Sequence, residues 1–294
     1  LVDGTGLASN YSLNSTVINI AKRVLNSSGS KLYDSNTNAL AGATTLSNLV
    51  SGEALNHSGT ASTSSANVGS YTISNLTGIT IADGSGGTAS NYTLTGGTHN
   101  FAINQRPLNA TLARQYDGTT NAAGSDLSSF DALQGGETLT LNGSGTAAND
   151  NVANGISVSS LGSLALVNGT GLASNYSLNS AAINITQRVL TSSGSKTYDA
   201  NTNALAGAIT LSNLVSGEAL NHSGTATIGS ANAGSYTISN LAGITIADGS
   251  GGTASNYTLT GGTHNFTVNR RVVGVSGTRL YDATTNAVAS DLST

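Results

Sequence analysis

Cysteine, methionine and tryptophan are absent from all 294 residues, and proline occurs once, at Pro107. Without cysteine there is no disulfide, thiol nucleophile or thiolate metal site. The lack suits a protein outside the cell, where a free thiol oxidises, and equally suits a copied unit that never carried one. Charge is scarce as well: 8% of residues are Asp, Glu, Lys or Arg, against about 25% in ordinary soluble domains. The net charge of −4 is spread thinly, which argues against nucleic acid and anionic membranes as partners. No long apolar run and no basic-plus-apolar leader is present, so this stretch is not expected to enter a membrane. Helical periodicity is missing too. The best helical candidate, Asp126 to Gln134, is too short to stand alone.

What fills the chain instead is repetition. Tyr-Asp pairs at Tyr33-Asp34, Tyr116-Asp117, Tyr198-Asp199 and Tyr281-Asp282 recur at offsets of 83, 82 and 83 residues. Ten residues before each stands an arginine, at Arg23, Arg106, Arg188 and Arg271. A second mark, Asn-Tyr, closes each unit at Asn10-Tyr11, Asn91-Tyr92, Asn175-Tyr176 and Asn256-Tyr257. Self-similarity at a fixed period means one folding unit was copied, and function then resides in stacking copies rather than in one site. Three full repeats, 23–105, 106–187 and 188–270, are flanked by the C-terminal part of a repeat at 1–22 and the N-terminal part of another at 271–294. The stretch, which does not open on methionine, reads as a section of something longer. The first and third full repeats differ at only about a dozen positions, so the larger copied element is a pair of repeats.

Apolar residues alternate in Ser235–Asn240, Gly243–Ala247, Asn256–Thr260 and His264–Asn269, with glycine-rich turns between them. Period-2 patterning of this kind predicts half-buried strands, about six to eight per repeat. The expected fold is all-β: a tandem array of small antiparallel β-sandwich, Ig-like domains joined end to end into a rod, with strand order left open. A core of this size buries only about 60–65% of the unfolded surface, so neighbouring repeats are expected to stabilise each other. The seams, such as Phe101–Leu108 and Ile183–Leu190, run from the last strand of one repeat into the first of the next with no flexible linker.

Tyr-Asp at the start of each repeat, Val50-Ser51-Gly52-Glu53 and Val215-Ser216-Gly217-Glu218 after the second segment, Asn67-Val68-Gly69 and Asn232-Ala233-Gly234 at mid-repeat, and Ser-Asn-Tyr near the end form a pattern that runs through the whole chain. It resembles the YDG-type repeat region of large bacterial adhesins, the filamentous haemagglutinin-like exoproteins. Only Tyr116-Asp117-Gly118 keeps the namesake tripeptide; Ser35, Ala200 and Ala283 replace the glycine elsewhere. The resemblance implies an extracellular stalk or spacer that projects an adhesive region or builds a biofilm matrix, secreted or at the bacterial cell surface. It implies no catalytic residues.

Other chemistry is sparse. Asp83 and Asp248 open glycine-rich loops that are weak calcium candidates, since calcium wants six to eight oxygens and each loop offers one carboxylate. His57, His99, His222 and His264 lack a third ligand at metal spacing. No acid, base and nucleophile converge, so no enzyme activity and no cofactor is expected. The expected partners are neighbouring repeats of the same chain. Host or matrix glycan or protein, and self-association into a fibre, are the alternatives. Tyr33, Tyr116, Tyr198 and Tyr281, with Tyr92, Tyr176 and Tyr257, are assigned structural roles: in each Tyr-Asp pair the ring buries at a strand end and its hydroxyl bonds to backbone, while Asp34, Asp117, Asp199 and Asp282 accept turn amides. On this reading Tyr198→Ala costs about 3–5 kcal/mol, measurable by thermal melting.

Overall fold

A computed structural model describes residues 1–15 and 17–293. Thr16 and Thr294, which fall in the expected partial repeats 1–22 and 271–294, lie outside the described residues. Among the described residues the structure is all-β, with short 3₁₀ turns and no α-helix. The chain divides into two compact units. One comprises Leu1–Asn109, Phe130–Leu141 and Leu166–Asn179; the other comprises Ala110–Ser129, Asn142–Ala165 and Ser180–Thr294. The division runs through the middle repeat, so each junction between successive full repeats lies inside one unit.

In the first unit, the first full repeat supplies β1 (Arg23–Val24), β2 (Asn26–Leu32), β3 (Asn38–Leu40), β4 (Thr44–Ser47), β5 (Leu55–Ser62), β6 (Gly69–Thr72), β7 (Ile79–Asp83), β8 (Tyr92–Thr93) and β9 (His99–Asn104). One sheet has the order β4-β2-β9-β6, a second has β3-β5-β7, and β1 pairs with β8. Strand alternation predicts antiparallel sheets, and most pairs are antiparallel. The closure of the repeat is not: β2 and β9 run parallel in the register Ser27↔His99 to Leu32↔Asn104, and β1 and β8 are parallel as well. Parallel neighbours need a long connection, and here that connection is almost the whole repeat. The first and last strands of each copy therefore lie side by side.

Alternation sets the faces. On β9, His99, Phe101 and Ile103 are buried while Asn100 and Asn104 are exposed, as a period of two requires. Phe101 and Ile103 join Tyr33, Ala39, Ala61 and Ile73 in one apolar cluster. That cluster does not stop at the repeat boundary. Leu108, Leu139 and Tyr176, from the middle repeat, are buried in it too, with Leu133 and Leu166 packed against it.

In the second unit the third full repeat follows the same plan. Thr191–Thr197 runs parallel to His264–Asn269, and Arg188–Val189 pairs in parallel with Tyr257–Thr258. Leu220–Ile228 pairs through Leu220–Gly224 with Ile244–Asp248 and at Thr227 and Ile228 with Gly234–Asn240, with a register shift between those two residues. Ala204, Ile209, Ile228, Ile238, Phe266 and Val268 form its core. The middle repeat contributes Ala153–Ser160, paired antiparallel with Ser144–Ala147 and with the strand that ends at Thr186.

His99 and His264, in cores, act as hydrogen-bond struts. Each Nε2–H donates to a carbonyl, Leu94 at 2.9 Å and Leu259 at 2.8 Å, leaving Nδ1 to accept from Ser27 and Ser192, both at 2.9 Å. A carbonyl can only accept, so this tautomer follows from the partners. Phe101→Ala and Phe266→Ala each remove an almost fully buried ring and should lower unfolding free energy by about 3–5 kcal/mol in chemical denaturation. A loss below about 1 kcal/mol at either position would contradict the placement of these cores.

Candidate functional site

The sequence makes each Tyr-Asp pair a turn, and the structure shows how. Asp117 accepts the Thr119 amide at 2.9 Å, and Asp34, Asp199 and Asp282 accept the amide two residues on in the same way. A basic residue three positions before the aspartate completes each turn: Lys31–Asp34 at 2.8 Å, Lys196–Asp199 at 2.9 Å, Arg279–Asp282 at 3.0 Å, and Arg114 against Asp117. The hydrogen bond from Lys196 holds the Asp199 carboxyl below its ordinary value. The next residue takes positive φ in all four copies: 62° at Ser35, 71° at Gly118, 63° at Ala200 and 66° at Ala283. Loss of the namesake glycine thus leaves the left-handed turn intact, at a conformational cost of about 1–2 kcal/mol per non-glycine residue.

These turns aim the tyrosines at the following repeat. Within the first unit Tyr33 is 3% exposed, and its hydroxyl donates to Glu137 rather than to the backbone acceptor expected from the sequence. The other oxygen of Glu137 accepts the Tyr176 hydroxyl at 2.7 Å. Tyr176 in turn accepts the Gln134 amide at 3.0 Å, and the two rings meet edge to face with centroids 5.2 Å apart. The second unit repeats the arrangement. Tyr116 and Tyr257 each donate to Glu218 at 2.6 Å, Tyr257 accepts the Val215 amide at 3.0 Å, and the ring centroids are 5.5 Å apart.

Further bonds lock each seam. Asn175 accepts the Val68 amide at 2.9 Å and donates to Asn67 at 3.0 Å; Asn256 does the same with Val152 and Asn151 at the same distances. Arg106 donates to the Tyr33 carbonyl at 2.8 Å, and Arg188 to that of Tyr116 at 3.4 Å. Both asparagines are 1% exposed. Asn91, the equivalent residue of the first full repeat, has no complete repeat before it and is exposed, although Tyr92 still donates to Glu53 and accepts the Val50 amide. Tyr198 and Tyr281, with no complete repeat after them, are 39% and 93% exposed. The truncation penalty expected at Tyr198 therefore belongs to Tyr33 and Tyr116.

The glutamates carry the part of the site that the sequence reading missed. A signal was there: the chain has three glutamates, Glu53, Glu137 and Glu218, one in each full repeat. Each ends a four-residue turn whose fourth amide bonds back to the first carbonyl at 2.9–3.0 Å, which points the carboxylate toward the seam.

Asp83 and Asp248 each accept the first amide of a 3₁₀ turn, Ala89 and Ala254, at 2.7 Å. In the middle repeat the neutral amide of Asn168 does the same for Ala173 at 2.7 Å. A role that asparagine fills as well needs no cation. Among the described residues no group of three or more His, Cys, Asp or Glu is placed to hold a metal ion, and no helix is long and apolar enough to cross a membrane.

Burial, followed by the bond to glutamate, pushes the Tyr33, Tyr116 and Tyr257 hydroxyls up to about 12. An unfolded tyrosine titrates near 10, so between these values the unfolded chain holds fewer protons than the folded one. The seam contribution is complete below pH 10 and is lost as pH rises toward 12. Melting temperature followed with tyrosinate absorbance should fall over that interval; a flat profile would count against the clamp. Tyr33→Phe and Tyr116→Phe should each cost about 1.5–3 kcal/mol, the range for a hydrogen bond to a charged group, whereas Tyr198→Phe should stay within about 0.5 kcal/mol.

Compared with known families, residues 21–99, 104–183 and 182–264 each match the model of the YDG domain. A comparison with curated proteins found no match.

Proposed function

This chain belongs to the YDG domain family, with three such domains in tandem, and on that premise we propose that it is a structural spacer of an extracellular bacterial adhesin or biofilm matrix protein. The observation that carries the proposal is the clamp: the same Tyr–Glu–Tyr contact, with the same Asn and Arg bonds beside it, joins successive repeats in both seams. All three glutamates of a chain poor in charge lie at this contact or at its equivalent in the first full repeat. Residues placed in this way fix one copy against the next, and a chain so jointed transmits tension and keeps its reach. A polar surface limits aggregation, which suits a secreted stalk. The repeats need no catalytic group for this work, and the chain is read as a non-enzyme.

A second reading is supported by one observation. In the first full repeat an open groove of about 520 Å³ lies between residues 72–79 and 94–99, lined by Asn75, Leu76, Thr77, Leu94 and Thr95. A groove of mixed polar and aliphatic character suits a sugar, so the repeats would bind glycan themselves. Binding on a glycan array that rises with repeat number would favour this reading over the spacer.

Small-angle scattering of the chain tests the spacer directly. Repeats of roughly 35–45 Å each, set end to end, give a largest dimension well over 100 Å. A radius of gyration near 19 Å, that of a compact body of about this length, would overturn it.

A further inference from the structure

The two seams close the same clamp with different fillings. In the first unit the left-handed turn residue is Ser35, and the loop it meets is Gln134-Gly135-Gly136-Glu137. A Cβ placed on Gly135 would stand 3.1 Å from Ser35 Oγ and 3.4 Å from its Cβ, tighter than ordinary packing. In the second unit the turn residue is Gly118, and the loop it meets is Val215-Ser216-Gly217-Glu218. A Cβ on Gly118 would stand 2.9 Å from Val215 Cγ1 and 3.4 Å from Glu218 Oε1. The turn residue with a Cβ, Ser35, faces a glycine at the second loop position, and the turn residue without one, Gly118, faces a valine at the first.

The loops also turn differently. Gly135 and Gly136 both have positive φ, 59° and 74°, as a type I′ turn requires. In the other two loops only the second central residue does, Gly52 at 86° and Gly217 at 87°, as in type II. Cover differs in step with this. Val215 is half-buried beneath the Gly118 turn, whereas Val50, its equivalent in the first full repeat, is 46% exposed.

We propose that the seam is a pairing code, in which a Val-Ser-Gly-Glu loop accepts a preceding repeat only if that repeat carries glycine after its Tyr-Asp pair. The partner that fits the surface around Val50, Glu53, Asn91 and Tyr92 is then a YDG repeat of the middle type. A copy of the first or third repeat is excluded, because Ser35 or Ala200 would drive a Cβ into a valine methyl. A β-branched side chain has little freedom to move aside. The code gives a reason why near-identical repeats in this chain are separated by a divergent one: placed directly in series they would collide at the clamp. The inference stands on seam geometry and does not depend on what the array is for.

A double-mutant cycle in the full chain tests it, read as hydrogen exchange at the Val215 amide, which reports the clamp through its bond to Tyr257. Gly118→Ala should speed that exchange by about tenfold, and in a Val215→Ala background the same change should have an effect several-fold smaller. Equal effects in both backgrounds would assign the loss to left-handed strain alone and overturn the code, as would no effect of Gly118→Ala. If Gly118→Ala prevents folding, the first seam serves. Gln134→Val/Gly135→Ser should loosen the Tyr33 contact, and adding Ser35→Gly should restore melting temperature; failure of that third change to restore it would also overturn the proposal.

Discussion

One carboxylate accepting two tyrosine hydroxyls from successive repeats is the contact on which the array depends. A half-buried glutamate is costly unless its oxygens are bonded, and hydrogen bonds to an ionised acceptor are about twice as strong as neutral ones. Glu137 and Glu218 meet that requirement with partners from two copies at once. The tyrosines bring apolar area as well as hydroxyls, so the same pair of rings that satisfies the carboxylate also seals the apolar cluster reaching from Phe101 to Leu139. Hydrogen bonding and burial at the seam therefore rise and fall together.

The consequence is an array whose junctions are interiors. A repeat of about 82 residues has too little core to be robust alone, and the first one borrows Leu108, Leu139 and Tyr176 from the next. Parallel closure of β2 on β9 supports this economy, because it delivers the last strand of one copy directly beside its first and leads straight into Arg106. The arginine then returns to the Tyr33 carbonyl, so chain continuity and side-chain bonding meet at one place.

Much of this was legible in the sequence, and what was not has a physical reason. The period, the strands and the Tyr-Asp turns are local features, written in alternation and in turn residues. Tyr33 and Tyr198 share their local motif, yet one is buried and the other exposed; their difference lies in what stands next to them, which no local pattern encodes. Parallel pairing of β2 with β9 was hidden for a similar reason, since the expectation of antiparallel sheets rested on strand alternation, and alternation is blind to direction. The glutamates were visible as part of a motif, but a carboxylate in a glycine turn reads as solvated until the two hydroxyls that claim it are seen.

Native-state hydrogen exchange at three equivalent amides tests the clamp most directly, because the chain contains its own control. Gln134, Val215 and Val50 each donate to a tyrosine hydroxyl, Tyr176, Tyr257 and Tyr92 in turn, but only the first two lie in a seam where a preceding tyrosine also holds the glutamate. If that second tyrosine locks the joint, Gln134 and Val215 exchange at the slow rates of core strands and Val50 exchanges far faster. Equal protection at all three would mean that each loop holds itself, and would contradict the clamp between repeats.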